Sequence, residues 1–143
     1  MNLTLVLLLV GIPAALAADY EQRAVAAVLM GEARNQGSNG MVAVMEVIHQ
    51  RASERQNTLW GTINQPKSFS CLSNTSIDTL IRKYEKDPAY KDALRIAQMN
   101  RGQMPGITRH ANHYHYTHKE ESPPGKKPVA VVKDRSFYRL ERR

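Results

Sequence analysis

The most informative acidic residue of the chain is Glu32. Val25, Val28 and Leu29 follow the i, i+3, i+4 spacing of a helix face that packs on a core, and the next position of that series, i+7, is Glu32. Most of the thirteen acidic residues stand where a solvated helix face, a loop or a chain end is expected. The Glu32 carboxyl, at the centre of an apolar face, is expected to be buried.

Burial would change the chemistry of the Glu32 carboxyl. Removal from water disfavours the charged form and raises the pKa, so a buried glutamic acid can keep its proton near neutral pH. Such an acid can protonate the leaving oxygen of a glycosidic bond, as the general acid of a glycosidase does. The alternative is a structural ion pair with Arg34 or Arg51, because buried acids are commonly paired. Periodicity alone leaves both interpretations open.

Glu46 is the other acidic residue whose position on a helix can be judged. At 100 degrees per residue, Glu46 lies about 140 degrees away from Met41, and Met41 belongs to the apolar stripe of that helix. We therefore expect Glu46 to point off the stripe, which leaves Glu32 as the one acidic residue predicted to be buried.

A cluster of imidazoles suggests a different chemistry. Four histidines lie within nine residues, namely His110, His113, His115 and His118. Three of them could hold a zinc ion, which would indicate a metal-dependent amidase acting on cell wall peptides. However, the sequence has neither an HExxH pair nor paired cysteines to complete a recognisable ligand spacing. On a strand, His113 and His115 would share a face, and with Tyr114 and Tyr116 they would also suit a groove that stacks on sugar rings.

The single cysteine, Cys71, cannot form an internal disulfide. It stands near Phe69 and Leu72, so we interpret it as a small buried residue rather than as the nucleophile of a cysteine hydrolase.

Helices are expected to position most of these side chains. The first should begin at Asp19, with Gln22 three residues later in a capping-box arrangement. A glycine-bearing break is expected at 35–39, followed by a second helix over about 40–55. The buried stripe of the second helix comprises Met41, Val44, Met45 and Ile48.

Further elements are shorter. A third helix is expected to place Ile77, Leu80, Ile81 and Tyr84 on one face. Asp87 and Pro88 are predicted to start a fourth helix that ends near Gly102. Residues 129–132 and 137–140 are predicted to be strands. Residues 18–143 are thus expected to form one mostly helical α+β domain with a small C-terminal sheet or hairpin.

Residues 1–17 are predicted to be a secretory signal. They carry no charged side chain, include an apolar run at 3–10, and end in small residues before a predicted cleavage site at Ala18 or Asp19. Because no Lys or Arg precedes the run, an uncleaved anchor is the alternative. The run is shorter than the roughly 20 residues of a spanning helix, so no stable membrane span is expected unless the leader is retained. Export to the periplasm, the cell envelope or the medium is expected.

The formal net charge of +7 indicates that a partner attracted by charge would be negative. The leader carries none of this charge, so a basic exported domain is expected to be drawn to anionic envelope polymers. Nucleic acid is not expected as a partner, because the sequence has no helix-turn-helix signature and no aromatic RNA-binding motif.

Several short motifs together resemble a known family. In chain order they are Gly31-Glu32-Ala33-Arg34, Gly40-Met41-Val42-Ala43-Val44 with Arg51, Gln65-Pro66-Lys67-Ser68-Phe69-Ser70, Ala111-Asn112-His113-Tyr114 and Phe137-Tyr138. Their types and order resemble the signature of the spore-cortex-lytic (SleB-type) cell wall hydrolase family.

This resemblance implies a lysozyme-like fold of two lobes whose cleft carries one essential glutamate. It implies lytic cleavage of peptidoglycan between N-acetylmuramic acid and N-acetylglucosamine, which leaves a 1,6-anhydro end. Carried over by position, Glu32 is the catalytic residue. The residues expected to bind substrate are Phe69, Ser70, Asn112, His113 and Tyr114. Neither a metal nor an organic cofactor is implied, and a monomer is expected.

The sequence departs from the family pattern at three places. Asn35 and Gln36 replace a Gly-Glu pair, so a second acid at that point is lost. Gln50 stands where Asn is usual, and Arg135 stands where His is frequent, so no role is assigned to Arg135. Two alternatives stay open beside the glycan-cleaving enzyme, namely a zinc-dependent amidase that uses the cluster at 110–118 and a non-catalytic wall-binding module.

Overall fold

The computed structural model describes residues 18–117, 123 and 125–141. The predicted leader at 1–17 lies outside the described residues, and so does His118 of the histidine cluster. None of the helices in the described part is long and apolar enough to cross a membrane.

The described chain is a helical body followed by a small sheet. Its α-helices are α1 (Tyr20–Ala33), α2 (Gly37–Glu54), α3 (Leu59–Ile63), α4 (Ile77–Tyr84) and α5 (Tyr90–Ala97). Short 3-10 helices cover Arg34–Gln36, Ser70–Leu72 and Arg101–Gln103. The strands are β1 (His113–Tyr116), β2 (Ala130–Val132) and β3 (Arg135–Tyr138). The predicted mostly helical α+β class is confirmed, whereas the predicted likeness to lysozyme stays a prediction.

Helix α1 is the centre of the helical body. Its start is the predicted capping box, in which the Asp19 carboxylate accepts from Gln22 N at 2.8 Å and the Gln22 amide oxygen accepts from Asp19 N. Every residue from Ala24 to Met30 is buried, since α2, α4 and α5 all pack against this helix. The alanines of α1 let its neighbours approach closely, so the helix is buried on all sides rather than along one stripe.

Helix α2 begins earlier than predicted. It starts at Gly37 instead of residue 40, because the break after α1 is closed by the 3-10 turn at Arg34–Gln36. The predicted stripe of Met41, Val44, Met45 and Ile48 is buried as expected.

The predicted start of the fourth helix at Asp87 and Pro88 is wrong. Asp87 accepts a hydrogen bond from Ala89 N at 2.9 Å, and this closes a turn ahead of the helix. Helix α5 therefore begins at Tyr90, and it ends at Ala97 rather than near Gly102. An aspartate that bonds to the backbone two residues on competes with the N-cap geometry that the sequence suggested.

The three strands form one antiparallel sheet in the order β1-β3-β2. Strand β3 begins two residues before the predicted strand at 137–140. Register pairs Tyr114 with Phe137 and Tyr116 with Arg135, so these four side chains share one face of the sheet. Phe137 packs with Ala43 and Val47 of α2 in a second apolar cluster, and this contact fixes the sheet against the helical body.

The expectation that Glu46 points away from the core is wrong. Glu46 is 7% exposed, because α2 buries a second face against the sheet and the loop that precedes it. The carboxylate accepts hydrogen bonds from the backbone N–H groups of Gly106, Ile107 and Thr108 and from the Thr108 hydroxyl, at 2.7 to 3.1 Å. Glu46 therefore holds the loop that leads into β1.

Replacing Glu46 with Ala should lower the free energy of unfolding by about 3 kcal/mol, because buried N–H groups lose a charged acceptor. Glu85→Ala is the matched control. Among the described residues, the Glu85 side chain makes just an exposed ion pair with Arg23 at 3.6 Å, worth less than about 1 kcal/mol. Chemical denaturation measures both variants. Equal denaturation midpoints for the two would contradict the role assigned to Glu46.

Candidate active site

The site is built around Glu32, on the last turn of α1. The side chain is 6% exposed, as the periodicity predicted. Burial raises the pKa of the Glu32 carboxyl above its ordinary value of 4.5, and it outweighs the opposing effects of the positive charge of Arg135 and of hydrogen bonding by Ser70. Desolvation thus favours the protonated acid.

Neither arginine suggested as an ion-pair partner contacts the Glu32 carboxyl. Arg34 pairs with Asp87 at 2.6 Å. Arg51 donates from Nε to the Asn112 carbonyl at 2.7 Å and from Nη1 to the Ser68 carbonyl at 3.3 Å. Within the described residues, Glu32 takes part in no salt bridge. The interpretation of Glu32 as a residue paired with Arg34 or Arg51 is wrong.

Ser70 contacts the carboxyl directly. Its hydroxyl donates to Glu32 Oε2 at 3.2 Å. Ser70 is the first residue of the 3-10 helix Ser70–Leu72, and its side chain holds one oxygen of the carboxyl in place. Of the residues predicted to bind substrate, Ser70 is the one that the structure joins to Glu32 by a hydrogen bond.

Close packing of the Cys71 side chain on the backbone of Gly31 accompanies the contact of Ser70 with Glu32. A Cβ at Gly31 would lie 2.7 Å from Cys71 Cβ and 3.0 Å from Cys71 Sγ, so only glycine permits this packing. Burial raises the pKa of the Cys71 thiol to about 12, and the neighbouring charge of Glu32 contributes in the same direction. Cys71 is half-buried and protonated, and it serves as a packing residue beside the acid.

Arg135 is the site residue to which the sequence assigned no role. It is 3% exposed, and its Nη2 donates to the backbone carbonyl of Glu32 and to the Tyr116 hydroxyl. Its guanidinium lies 5.0 Å from the Tyr114 ring centroid and 4.6 Å from that of Tyr116. Nε and Nη1 of Arg135 are buried without a hydrogen-bond partner among the described residues. A cation held by two aromatic rings lies next to the acid.

Tyr114 faces the same carboxyl from the sheet. The Tyr114 hydroxyl is close enough to lower the pKa of Glu32. It is buried, and it makes no hydrogen bond of regular geometry with the Glu32 carboxyl or with any other described residue. Burial, and then the negative charge of Glu32, raise the pKa of the Tyr114 hydroxyl well above its ordinary value. Tyr114 is therefore a neutral donor directed at the acid.

Phe69 and Asn112 belong to the framework that holds these groups. The Arg51 guanidinium lies 5.3 Å from the Phe69 ring centroid. The Asn112 amide is held on both sides, since Nδ2 donates to Glu54 and to the Leu140 carbonyl while Oδ1 accepts from Leu140 N. Arg51 joins the segments that carry Phe69 and Asn112, a role that its motif position alone did not indicate.

The described histidines do not converge on one point. His113 and His115 share a face of β1 and lie against Tyr138. Their ring centroids are 6.4 and 4.9 Å, respectively, from the centroid of the Tyr138 ring. His110 instead lines a small cavity beside Glu46 and His49. Within the described part of the chain, no three side chains among His, Cys, Asp and Glu form a group able to hold a metal.

The arrangement can donate and take back one proton. A buried carboxyl that favours its neutral form is held by a serine hydroxyl and faces a tyrosine hydroxyl. The buried cation Arg135 can stabilise the carboxylate that forms when the proton leaves. These are the parts of a single-residue acid–base catalyst.

Comparison with known proteins identifies one family. The family model described as cell wall hydrolase matches residues 35–138, which is well over half of the chain. The matched range begins after Glu32, so it covers Ser70, Tyr114 and Arg135 but not the acid itself. No curated protein and no solved structure gives a significant match.

Gly31→Ala should destabilise the protein by about 1–3 kcal/mol through overpacking against Cys71. Adding Cys71→Gly removes the two atoms that a new Cβ would approach most closely, and it should recover part of that loss. A thermodynamic cycle of the two single variants and the double variant measures the coupling by denaturation. Additive losses in the double variant would contradict a direct contact between these positions.

Glu32→Gln should stabilise the protein near neutral pH. Because the folded pKa of Glu32 is raised, the folded state binds protons more readily than the unfolded state. Stability therefore falls as pH rises from the ordinary value of 4.5 through the raised folded pKa, and the cost persists above it. The variant lacks this cost, so its advantage should vanish below pH 4. Denaturation midpoints of both proteins across pH measure this difference in stability. A difference that is independent of pH would contradict the raised pKa of Glu32 in the folded state.

Proposed function

The chain belongs to the cell wall hydrolase family, and from that premise we propose that it cleaves the glycan strand of peptidoglycan with Glu32 as its catalytic acid. The bond cleaved joins N-acetylmuramic acid to N-acetylglucosamine. The observation that carries this proposal is the Glu32 carboxyl, which is buried, held by the Ser70 hydroxyl and unpaired within the described residues.

Cleavage begins with proton transfer. The protonated Glu32 gives its proton to the glycosidic oxygen as the bond to C1 of the muramic acid residue breaks. The 6-hydroxyl of the same sugar forms the new bond to C1 and releases its proton to the Glu32 carboxylate. The products are a free 4-hydroxyl on the leaving sugar and a 1,6-anhydro end. No water is consumed, and Glu32 ends in its starting form.

This lytic route needs only one carboxyl group. Hydrolysis by retention or inversion calls for two placed carboxylates. Glu46 is engaged by the loop at 106–108, Glu54 by Gln50 and Asn112, and Gln36 cannot ionise. These observations favour the lytic reaction over hydrolysis.

Arg135 and Tyr114 supply the electrostatic control of this reaction. Burial alone would hold the proton on Glu32, whereas the positive charge of Arg135 lowers the cost of the carboxylate that exists after proton transfer. The Tyr114 hydroxyl is placed to donate to the same carboxylate. Both groups favour the charged state halfway through the reaction, and Glu32 can thus act first as acid and then as base.

A zinc-dependent amidase is less well supported. It needs three ligands that converge, but His110 lies beside Glu46 while His113 and His115 lie against Tyr138. A non-catalytic wall-binding module would leave the unpaired buried acid without a function. The proposed activity further implies export through the predicted leader at 1–17, and we propose that the basic domain acts as a monomer attracted to anionic envelope polymers.

Glu32→Gln should abolish the release of soluble glycan fragments from purified peptidoglycan, since the amide cannot deliver the proton. Mass spectrometry of the digest identifies the bond cleaved, and anhydro-muropeptides are expected from the native protein. The loss in rate should be at least 100-fold, the lower range for removal of a general acid.

Glu85→Gln provides the control, because it changes the same residue type on the surface and should keep full activity. Reducing sugar ends would contradict the lytic step and indicate hydrolysis. Freed peptides, together with loss of activity in chelator, would indicate the amidase. A Glu32→Gln variant that digests wall at the native rate would contradict the catalytic assignment.

A further inference from the structure

A groove of about 700 Å³ lies beside the 3-10 helix Ser70–Leu72. Tyr20 and Trp60 form an aromatic pair at the groove, with ring centroids 5.8 Å apart and planes inclined at 53°. Among the described residues, Tyr20 is one of two exposed large hydrophobic side chains, at 44%. The groove has the volume of a typical ligand site.

Three polar side chains of the groove are neutral and available. Gln65, Ser73 and Thr75 line it, and their side chains are joined by no hydrogen bond to other described residues. Amides and hydroxyls next to exposed aromatic faces match the alternating hydroxyl groups and apolar ring faces of a sugar.

The charge of the groove indicates which kind of ligand it suits, a sugar or an anionic polymer. Its lining has one cation, Lys67, and one acid, Asp78, and Asp78 accepts a hydrogen bond from the Tyr20 hydroxyl. The groove therefore lacks the positive character of the chain as a whole, whose net charge is +7. An uncharged polar ligand fits this lining better than teichoic acid or another polyanion.

The 3-10 helix Ser70–Leu72 connects the groove to the proposed catalytic acid. Phe69, Leu72 and Ser73 line the groove, while Ser70, within the same short segment, donates to Glu32. A 3-10 helix of three residues is roughly 6 Å long, so one turn of backbone separates the groove from the acid. A strand with one linkage at Glu32 can reach the groove with its neighbouring sugars.

We propose that this groove is an extended subsite that binds N-acetylhexosamine units of the glycan strand, with Trp60 and Tyr20 as the stacking surface and Gln65 as a hydrogen-bonding group. The proposal rests on the proposed function, since it names where the strand beyond the cleaved linkage is held. It makes the enzyme selective for long strands over short fragments.

Trp60 allows a direct test, because it is the only tryptophan of the chain. A tetramer of N-acetylglucosamine is titrated into full-length Glu32→Gln protein while tryptophan fluorescence is recorded, so that binding is observed without cleavage. A saturable change in the emission of Trp60 is expected. Absence of a change at millimolar sugar, or a change with the isolated stem peptide in place of the sugar, would overturn the proposal.

Kinetics on soluble, uncrosslinked glycan strands give the second readout. Gln65→Ala and Trp60→Ala should raise KM about two- to tenfold with kcat unchanged, the range for one aromatic contact or hydrogen bond. Trp60→Phe should recover part of the loss. Gln65 is exposed, so its variant tests the groove even where Trp60→Ala is unstable. Val131→Ala, at a 59% exposed position of β2, is the control that should leave KM unchanged.

The two proposals fail in different ways. If Glu32→Gln cleaves glycan normally, the proposed function fails. If Glu32→Gln is inactive but Gln65→Ala and Trp60→Ala cleave long strands with native KM, the groove is not a subsite and the catalytic assignment stands.

Discussion

The central constraint in this molecule is the burial of one carboxyl, on a helix whose described neighbours supply no ion-pair partner for it. Helix α1 is covered on all sides, and Glu32 lies on its last turn with 6% of its surface exposed. Burial of an acid is costly unless the acid is neutral or paired. In the described part of the chain Arg34 and Arg51 bind other groups, and burial outweighs the nearby charge of Arg135. The carboxyl therefore favours its proton, and the rest of the site depends on that preference.

The arginines of the site are used to shape it rather than to neutralise the acid. Arg51 binds the carbonyls of Ser68 and Asn112, so one cation joins the two segments that carry Phe69 and the start of β1. Arg135 binds the backbone of Glu32 and lies against two tyrosine rings. Its charge acts on the carboxyl from close range without a salt bridge, which leaves the proton on the acid while reducing the cost of losing it.

Much of the helical body could be predicted from the sequence. The stripe ending in Glu32 and the capping box at Asp19 follow from local spacing, and both are confirmed. Glu46 could not be placed in this way. Its burial depends on a loop sixty residues later and on a sheet that packs against a second face of α2, and no helical period in α2 alone reveals that contact.

The contacts of the site residues likewise could not be predicted from local sequence patterns. Ser70 was found through its motif, yet its contact with Glu32 accompanies the packing of Cys71 on Gly31, which is a tertiary effect. The sequence alone assigns no role to Arg135. Its register opposite Tyr116 in the sheet, and its reach to Glu32, become visible only when β1 and β3 are paired.

The most direct measurement is the pKa of the Glu32 carboxyl itself, from a ¹³C NMR titration of glutamate-labelled protein with Glu32→Gln used to assign the resonance. A titration midpoint clearly above the ordinary value of 4.5 is predicted, because desolvation outweighs the charge of Arg135 and the hydroxyl of Ser70. A midpoint at or below 4.5 would show that the carboxyl is solvated or charge-paired and would contradict its role as the proton donor.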